Sequence, residues 1–161
     1  MATDNSPELS VIDPDRVVNW RSILLEHLLR LDTEARRLRF FGSVSDAGIH
    51  AHVARAQPLA LVVHAPDGRV RGCAEVHPGG TPGSAEIAVS VEGPWRNQGV
   101  GAALTSAAHR EARAAGLTDI RLTCLRQNTP MMHIARSLHA RALPLADWAL
   151  ALFRLDTPET P

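Results

Sequence analysis

The chain changes its hydrophobic period once, and the change divides it. Over residues 14–31 apolar side chains recur at Val17, Ile23, Leu24, Leu28 and Leu31, a spacing that lines one face of an amphipathic helix. Asp13 and Pro14 supply a cap and a first-turn proline ahead of it. TEARRLRFF, at 33–41, and residues 45–56 predict two further helices. From residue 59 the period shortens. PLALVVHA and VRGCAEVH are apolar runs of strand length joined by PDGR, so 59–77 predicts a β-hairpin. Residues 85–91, AEIAVSV, predict another strand. Residues 99–115 predict an alanine-rich helix stopped by Gly116. DIRLTCL, at 119–125, follows as a strand. A helix over 128–139 and two closing strands, in ARALPL and WALALFRL, complete the pattern, and a short strand at 9–12 opens it.

This order predicts an α/β fold with a mainly antiparallel front half. Its one parallel crossover runs from strand 85–91 through the following helix to strand 119–125, and such crossovers are right-handed. A length of 161 residues suits one domain. That domain is read here as residues 9–155, with 1–8 and 156–161 as disordered tails.

Composition changes the picture mainly by exclusion. Seventeen basic residues balance seventeen acidic ones, and all the basic ones are arginine. Net charge therefore gives no reason to expect a nucleic-acid or membrane partner. No segment reaches the roughly 18 consecutive apolar residues of a membrane span. Cys73 and Cys124 lie in apolar runs without a C-x-x-C pairing, as expected of buried free thiols in a reducing, cytoplasmic setting. Among the eight histidines there is no H-E-x-x-H pattern. His50 and His52 stand two apart on a predicted helix, where side chains do not face each other, and no metal site is expected.

Candidate chemistry concentrates in WRNQGVGAAL, residues 95–104. A strand leads into it and a helix leads out. Gly99 and Gly101 lack a Cβ, so the backbone there can approach a ligand, and the first N–H groups of the helix have no intrahelical acceptor. With the helix dipole and the charge of Arg96, such a turn suits a phosphate or pyrophosphate. An ordinary tight strand-to-helix connection is the alternative. Two familiar phosphate motifs fail: the third small residue of a dinucleotide fingerprint is replaced by Leu104, and a P-loop requires a lysine.

VEGPWRNQGVGAAL resembles the acyl-CoA motif of the GNAT N-acetyltransferase superfamily, Arg or Gln, two residues, Gly, one residue, Gly or Ala, here Arg96, Gly99 and Gly101. LRQNTPMMHIARSL resembles that family's second conserved segment, with Asn128 at its head, and TEARRLRFFG is similar to a stretch in bacterial protein-lysine-acetyltransferase types. The resemblance implies a GNAT-like, mainly antiparallel twisted sheet of about seven strands with helices on both faces. It also implies acetyl-CoA as co-substrate and a primary amine, small molecule or protein lysine, as acceptor; it leaves a homodimer open. Under it, Val89 and Val91 offer backbone groups to the pantetheine arm and thioester. Arg96, Asn97, Gln98, Gly99, Val100, Gly101 and Ala102 cradle the pyrophosphate, and Asn128 stands near the pantetheine while also suiting a helix cap.

Amine acylation needs a neutral nucleophile, an N–H donor for the oxyanion and a departing thiolate. Glu86 resembles the general base of protein-acetylating relatives. Glu75, read as an exposed glutamate near a strand end, is its competitor. Alternation sets Ser90 on the same face as Glu86, where it could hold water or substrate. The chain has no tyrosine to act as acid, and His133 or Ser137 could substitute. The arginines of RRLRF read as a solvated helix face, Phe40 and Phe41 as core. An acyl-CoA-binding module with weak catalysis is the competing function.

Overall fold

A computed structural model describes residues 8–156; of the tails expected at 1–8 and 156–161, residues 1–7 and 157–161 lie outside it, while Glu8 belongs to the first strand. In chain order the elements are β1 (Glu8–Ile12), α1 (Trp20–Arg30), α2 (Thr33–Phe40), α3 (Asp46–Arg55), β2 (Leu59–His64), β3 (Val70–Pro78) and β4 (Ser84–Val91). A 3-10 turn at Gly93–Trp95 leads to α4 (Val100–Ala114), β5 (Asp119–Leu125), α5 (Thr129–Ser137), β6 (Arg141–Leu143) and β7 (Leu150–Leu155). The sheet has seven strands in the order β1-β2-β3-β4-β5-β7-β6. Every neighbouring pair is antiparallel except β4 with β5. The mixed sheet and its single parallel crossover match the sequence reading.

Both faces of the sheet are covered, which explains why β2 reads as an unbroken apolar run rather than an alternating one. Leu61 and Val63 point into a core built with Val100, Leu104, Ala107, Ala108 and Ala112 of α4. Ala60 and Val62 point the other way, against Leu24 and Leu28 of α1 and Ile49 and Val53 of α3. The alanines of α4 let that helix lie close on the sheet, and Gly72 of β3 serves the same end. A Cβ there would come within 2.9 Å of both Leu104 and Val100. A smaller core joins α5 to β5 and β7 through Ala135, Leu122, Cys124 and Phe153.

Two boundaries differ from expectation. The first helix begins at Trp20, not at residue 14. The carbonyl of Asp13 accepts from the N–H groups of Arg16 and Val17 and its carboxylate from that of Asp15, which closes a turn in place of a helix. Val18 is 101% exposed, and the buried stripe is Trp20, Leu24, His27 and Leu28, a run that includes two residues absent from the sequence reading. The closing strands are shorter than predicted because Asp147 caps a turn between them: its carbonyl accepts from Leu150 and its carboxylate from Ala149. No helix among the described residues is long and apolar enough to cross a membrane.

Leu104 is fully buried between α4 and the sheet. Leu104→Ala should lower the unfolding free energy by about 2–5 kcal/mol, read from denaturant melts. A loss under about 1 kcal/mol would show that this core collapses around the deletion.

Candidate active site

The site begins where two strands part. β4 and β5 pair over four positions only, from Ser84 opposite Asp119 to Ile87 opposite Leu122. Beyond them β4 continues to Val91 and β5 to Leu125, each bonded only to its outer neighbour. The N–H of Glu92 donates to the carbonyl of Arg71 on β3 at 2.9 Å. Strand alternation therefore turns the backbone groups of Val89 and Val91 the opposite way, into the gap. No strand among the described residues takes them up there.

Two cavities meet in this gap. The larger, about 550 Å3, runs from Val89 and Val91 past the start of α4 and the first turn of α5. The smaller, about 250 Å3, lies toward α2 and α3 and is bordered by His52, His77 and Glu86. Leu38, Val89, Asn128 and Met131 belong to both walls. A molecule threaded along the larger cavity would bring its end to the smaller one at these four residues.

The turn before α4 has the properties an anion requires. Asn97 and Gly99 adopt left-handed backbone, with φ of 60° and 79°, and a concave run of N–H groups commonly results from such geometry. Gly99 caps α4 without a side-chain bond. The N–H groups of Val100, Gly101 and Ala102 find no acceptor among the described residues. Gln98 instead donates to the carbonyl of Pro94. Arg96 borders the larger cavity, but its guanidinium bonds the Asp32 carboxylate at 3.0 and 3.1 Å. Asp32 in turn caps α2 through Ala35, and that backbone N–H, ahead of Arg96, holds its carboxyl below the usual range. An arriving phosphate would share Arg96 with Asp32. Gly101 has a packing reason of its own: a Cβ there would stand 3.3 Å from Ile134 of α5. Asn128 caps α5 through Oδ1, at 3.2 Å from the N–H of Met131, while bordering both cavities.

The three candidate catalytic side chains separate. Glu86 is exposed at the rim of the smaller cavity, directly across the β3–β4 ladder from His77. Glu75 is fully buried rather than exposed, because α2 and α3 cover its strand. Its Oε2 accepts from Nε and Nη2 of Arg39 at 3.0 and 2.7 Å, and its Oε1 lies 3.0 Å from His52 Nε2 and 3.1 Å from His77 Nε2. Burial opposes ionisation of this carboxyl, but Arg39 and the two imidazoles outweigh it and hold the group well below the usual carboxylate range. A carboxylate with every lone pair engaged is a poor proton acceptor. Ser90 shares the face of Glu86 but lies farther along the strand, where its hydroxyl bonds His27 Nε2 at 2.9 Å. His27 Nδ1 is 3.3 Å from Glu92, which also accepts from Arg30 and Arg71 at 2.8 Å each. This network ties α1 to the sheet. Ser90 is therefore held in a buried polar cluster while bordering the larger cavity.

Several residues escaped the sequence reading. Arg39 belongs to a run that reads as a solvated helix face, yet its side chain is only 9% exposed and lies on Glu75. Arg36 also turns inward, to the carbonyls of Leu29 and Leu31. Phe40 packs in the core as expected, whereas Phe41 is partly exposed at the smaller cavity. His52 pairs across space with β3 and not with His50. The cluster of His52, Glu75 and His77 was half legible, since Glu75 and His77 are two apart on one strand and so share a face. Arg39 already neutralises that carboxylate, which makes the cluster a hydrogen-bonded network rather than a cation cage. His133 borders the larger cavity, while Ser137 donates to the carbonyl of Ile134 and borders neither.

The family model described as the acetyltransferase (GNAT) family matches residues 23–140. No curated protein matches the chain in sequence. Among solved structures, the GNAT domain of S. lividans PAT superposes with a TM-score of 0.74 at 17% identity, covering 94% of this chain and 90% of that one. An N-acetyltransferase from Staphylococcus aureus gives 0.68 at 16% identity, over 94% and 98%. The yncA protein of Salmonella typhimurium, solved with its cofactor acetyl-CoA, gives 0.63 at 19% identity, over 97% and 98%.

The network around Glu92 should show in acid. Burial alone would raise this carboxyl, but bonds from His27, Arg71 and Arg30 bring it down to about 2. A depressed carboxyl stabilises the fold above its unfolded value, near 4.5, and that contribution is lost as pH falls toward 2. Denaturant midpoints measured across that window should fall more steeply for the wild type than for Glu92→Gln. Parallel slopes would remove Glu92 from the acid response.

Proposed function

Because the chain belongs to the GNAT acetyltransferase family, with acetyl-CoA as acyl donor, we propose that it acetylates a primary amine by direct attack on the thioester. The observation that carries this reading is the junction of the two cavities at Leu38, Val89, Asn128 and Met131. CoA would occupy the larger cavity with its pyrophosphate on the free N–H groups of Val100, Gly101 and Ala102. Arg96 would be drawn partly from Asp32 toward that charge. Asn97, Gln98 and Gly99 would shape the turn, and Asn128 would line the pantetheine path. The backbone of Val89 and Val91 is then available to the arm and to the thioester carbonyl. A preorganised N–H at that carbonyl stabilises the tetrahedral oxyanion as charge develops on it.

The acceptor would enter the smaller cavity, whose roughly 250 Å3 suits the aminoalkyl arm of a lysine or a small amine. Glu86 is the carboxylate there with oxygens free of intramolecular bonds among the described residues. It attracts the ammonium and takes its proton, directly or through a water. The neutral nitrogen attacks the carbonyl carbon, the C–N bond forms, the C–S bond breaks, and the nitrogen's remaining surplus proton goes to the departing thiolate. Glu75 is not the base in this reading, because Arg39, His52 and His77 already occupy it. Ser90 supports the strand through His27 and takes no part in the transfer.

The test is thiol release from acetyl-CoA in the presence of a panel of primary amines. Release should exceed the amine-free blank for at least one acceptor. Glu86→Gln should lower kcat about 100-fold at neutral pH while leaving CoA affinity unchanged in calorimetry. Tight CoA binding without release for any amine would make the protein an acyl-CoA-binding module. Undiminished turnover in the variant would move the base elsewhere.

A further inference from the structure

The smaller cavity holds a second proton-accepting device beside Glu86. His52 of α3 and His77 of β3 both direct Nε2 at the same oxygen of Glu75, at 3.0 and 3.1 Å. An ionised carboxylate only accepts hydrogen bonds, so both ring nitrogens donate. A neutral imidazole carries one N–H, and donation through Nε2 leaves Nδ1 of each ring with a bare lone pair. Neither Nδ1 has a hydrogen-bond partner among the described residues, and neither is fully buried. Each must therefore reach solvent. The side chains of His52 and His77 are 22% and 24% exposed over a carboxylate that is wholly buried, and both border the smaller cavity.

The rings are held from several sides. Phe40 meets His52 edge-on with centroids 5.4 Å apart, and His52 lies 5.7 Å from His77. Arg39 of α2 pins the far oxygen of Glu75, so the carboxylate cannot rotate away from the imidazoles. Charged or titratable groups facing His77 are Glu75 on its own strand, Arg39 from α2, His52 from α3, Glu86 from β4 and Arg121 from β5. Glu86 is its direct cross-strand partner on the same face of the sheet, and among the described residues their polar atoms stand beyond hydrogen-bond distance, a gap that one water can bridge.

We propose that His77, anchored by Glu75 and backed by His52, is the proton sink of the acceptor pocket. The proton drawn from the ammonium at Glu86 passes through a bridging water to His77 Nδ1, which becomes imidazolium against the ionised Glu75, and then leaves to solvent through the open cavity. This rests on the acetyl-transfer reading above and adds the residue that stores the proton. The net balance is one ammonium and one thioester giving one amide, one thiol and one released proton. Two rings on one carboxylate give the proton a second place to rest.

His77→Gln tests the relay, because the glutamine amide still donates to Glu75 where Nε2 did but offers no lone pair at the Nδ1 position. With the acceptor that gives the fastest thiol release, kcat at pH 7 should fall about 100-fold with KM for acetyl-CoA unchanged. The deficit should narrow as pH approaches the pKa of the amine, about 10.4 for a lysine-type acceptor, because the nucleophile then arrives neutral. His52→Gln should give a smaller loss with the same pH trend. Nitrogen NMR of the wild-type protein, which needs neither acceptor nor variant, should find both rings in the Nε2–H form at pH 8. An Nδ1–H ring at His77, undiminished turnover in His77→Gln, a loss of equal size at every pH, or activity removed by a chelator and restored by zinc would each overturn the relay. Absence of thiol release with every amine would instead overturn the acetyl-transfer reading, leaving the NMR result to decide the ring geometry.

Discussion

The parallel pairing of β4 with β5 stops after four residue pairs, and the rest of the site depends on that stop. If the ladder ran on, the backbone of Val89 and Val91 would be bonded to β5 and the gap between the cavities would close. Because it stops, the polar edges of two central strands face a space large enough for a ligand. The crossover through α4 begins where β4 ends, so the positive end of the helix opens at one mouth of the gap. The opposite mouth is floored by β3 and roofed by α2 and α3. One divergence thus leaves two cavities that adjoin at Leu38, Val89, Asn128 and Met131.

Two buried carboxylates fasten the helices over that gap. Glu75 bonds Arg39 of α2 and His52 of α3. Glu92 bonds His27 and Arg30 of α1 and Arg71 of β3. An unpaired buried carboxylate would be strongly destabilising, so each fixes its partners in place. A chain without lysine is suited to this, because the planar guanidinium matches a carboxylate with more than one N–H and is more weakly hydrated than an ammonium. The two clusters differ in surroundings. That of Glu92 joins α1 to the sheet, while that of Glu75 borders the smaller cavity through its imidazoles, and the proposed relay rests on the second.

Much of this was legible from residue order. Hydrophobic period gave the helices, the hairpin and the crossover, and the two spaced glycines marked the turn before α4, where Gly99 takes left-handed backbone. Period could not tell which face of β3 would be covered, so Glu75 looked solvated when α2 and α3 in fact bury it. Arg39 was lost in a run of arginines whose directions depend on how α2 lies against the sheet. His52 precedes Glu75 by 23 residues and meets it only through tertiary packing. The late start of α1 was hidden because Asp13 and Pro14 open a turn as readily as a helix. Gly101 looked like a ligand-facing position, and its contact with Ile134 needed the placement of α5.

The central claim is that acyl-CoA lies in the gap with its polar groups on unpaired backbone. Amide hydrogen exchange, followed residue by residue with and without acetyl-CoA, addresses it most directly. The account predicts that acetyl-CoA slows exchange at Val89, Val91, Val100, Gly101 and Ala102, whose N–H groups gain acceptors or lose contact with water, and leaves β1 and β6 unchanged. Saturating binding that leaves those five amides unprotected would contradict it.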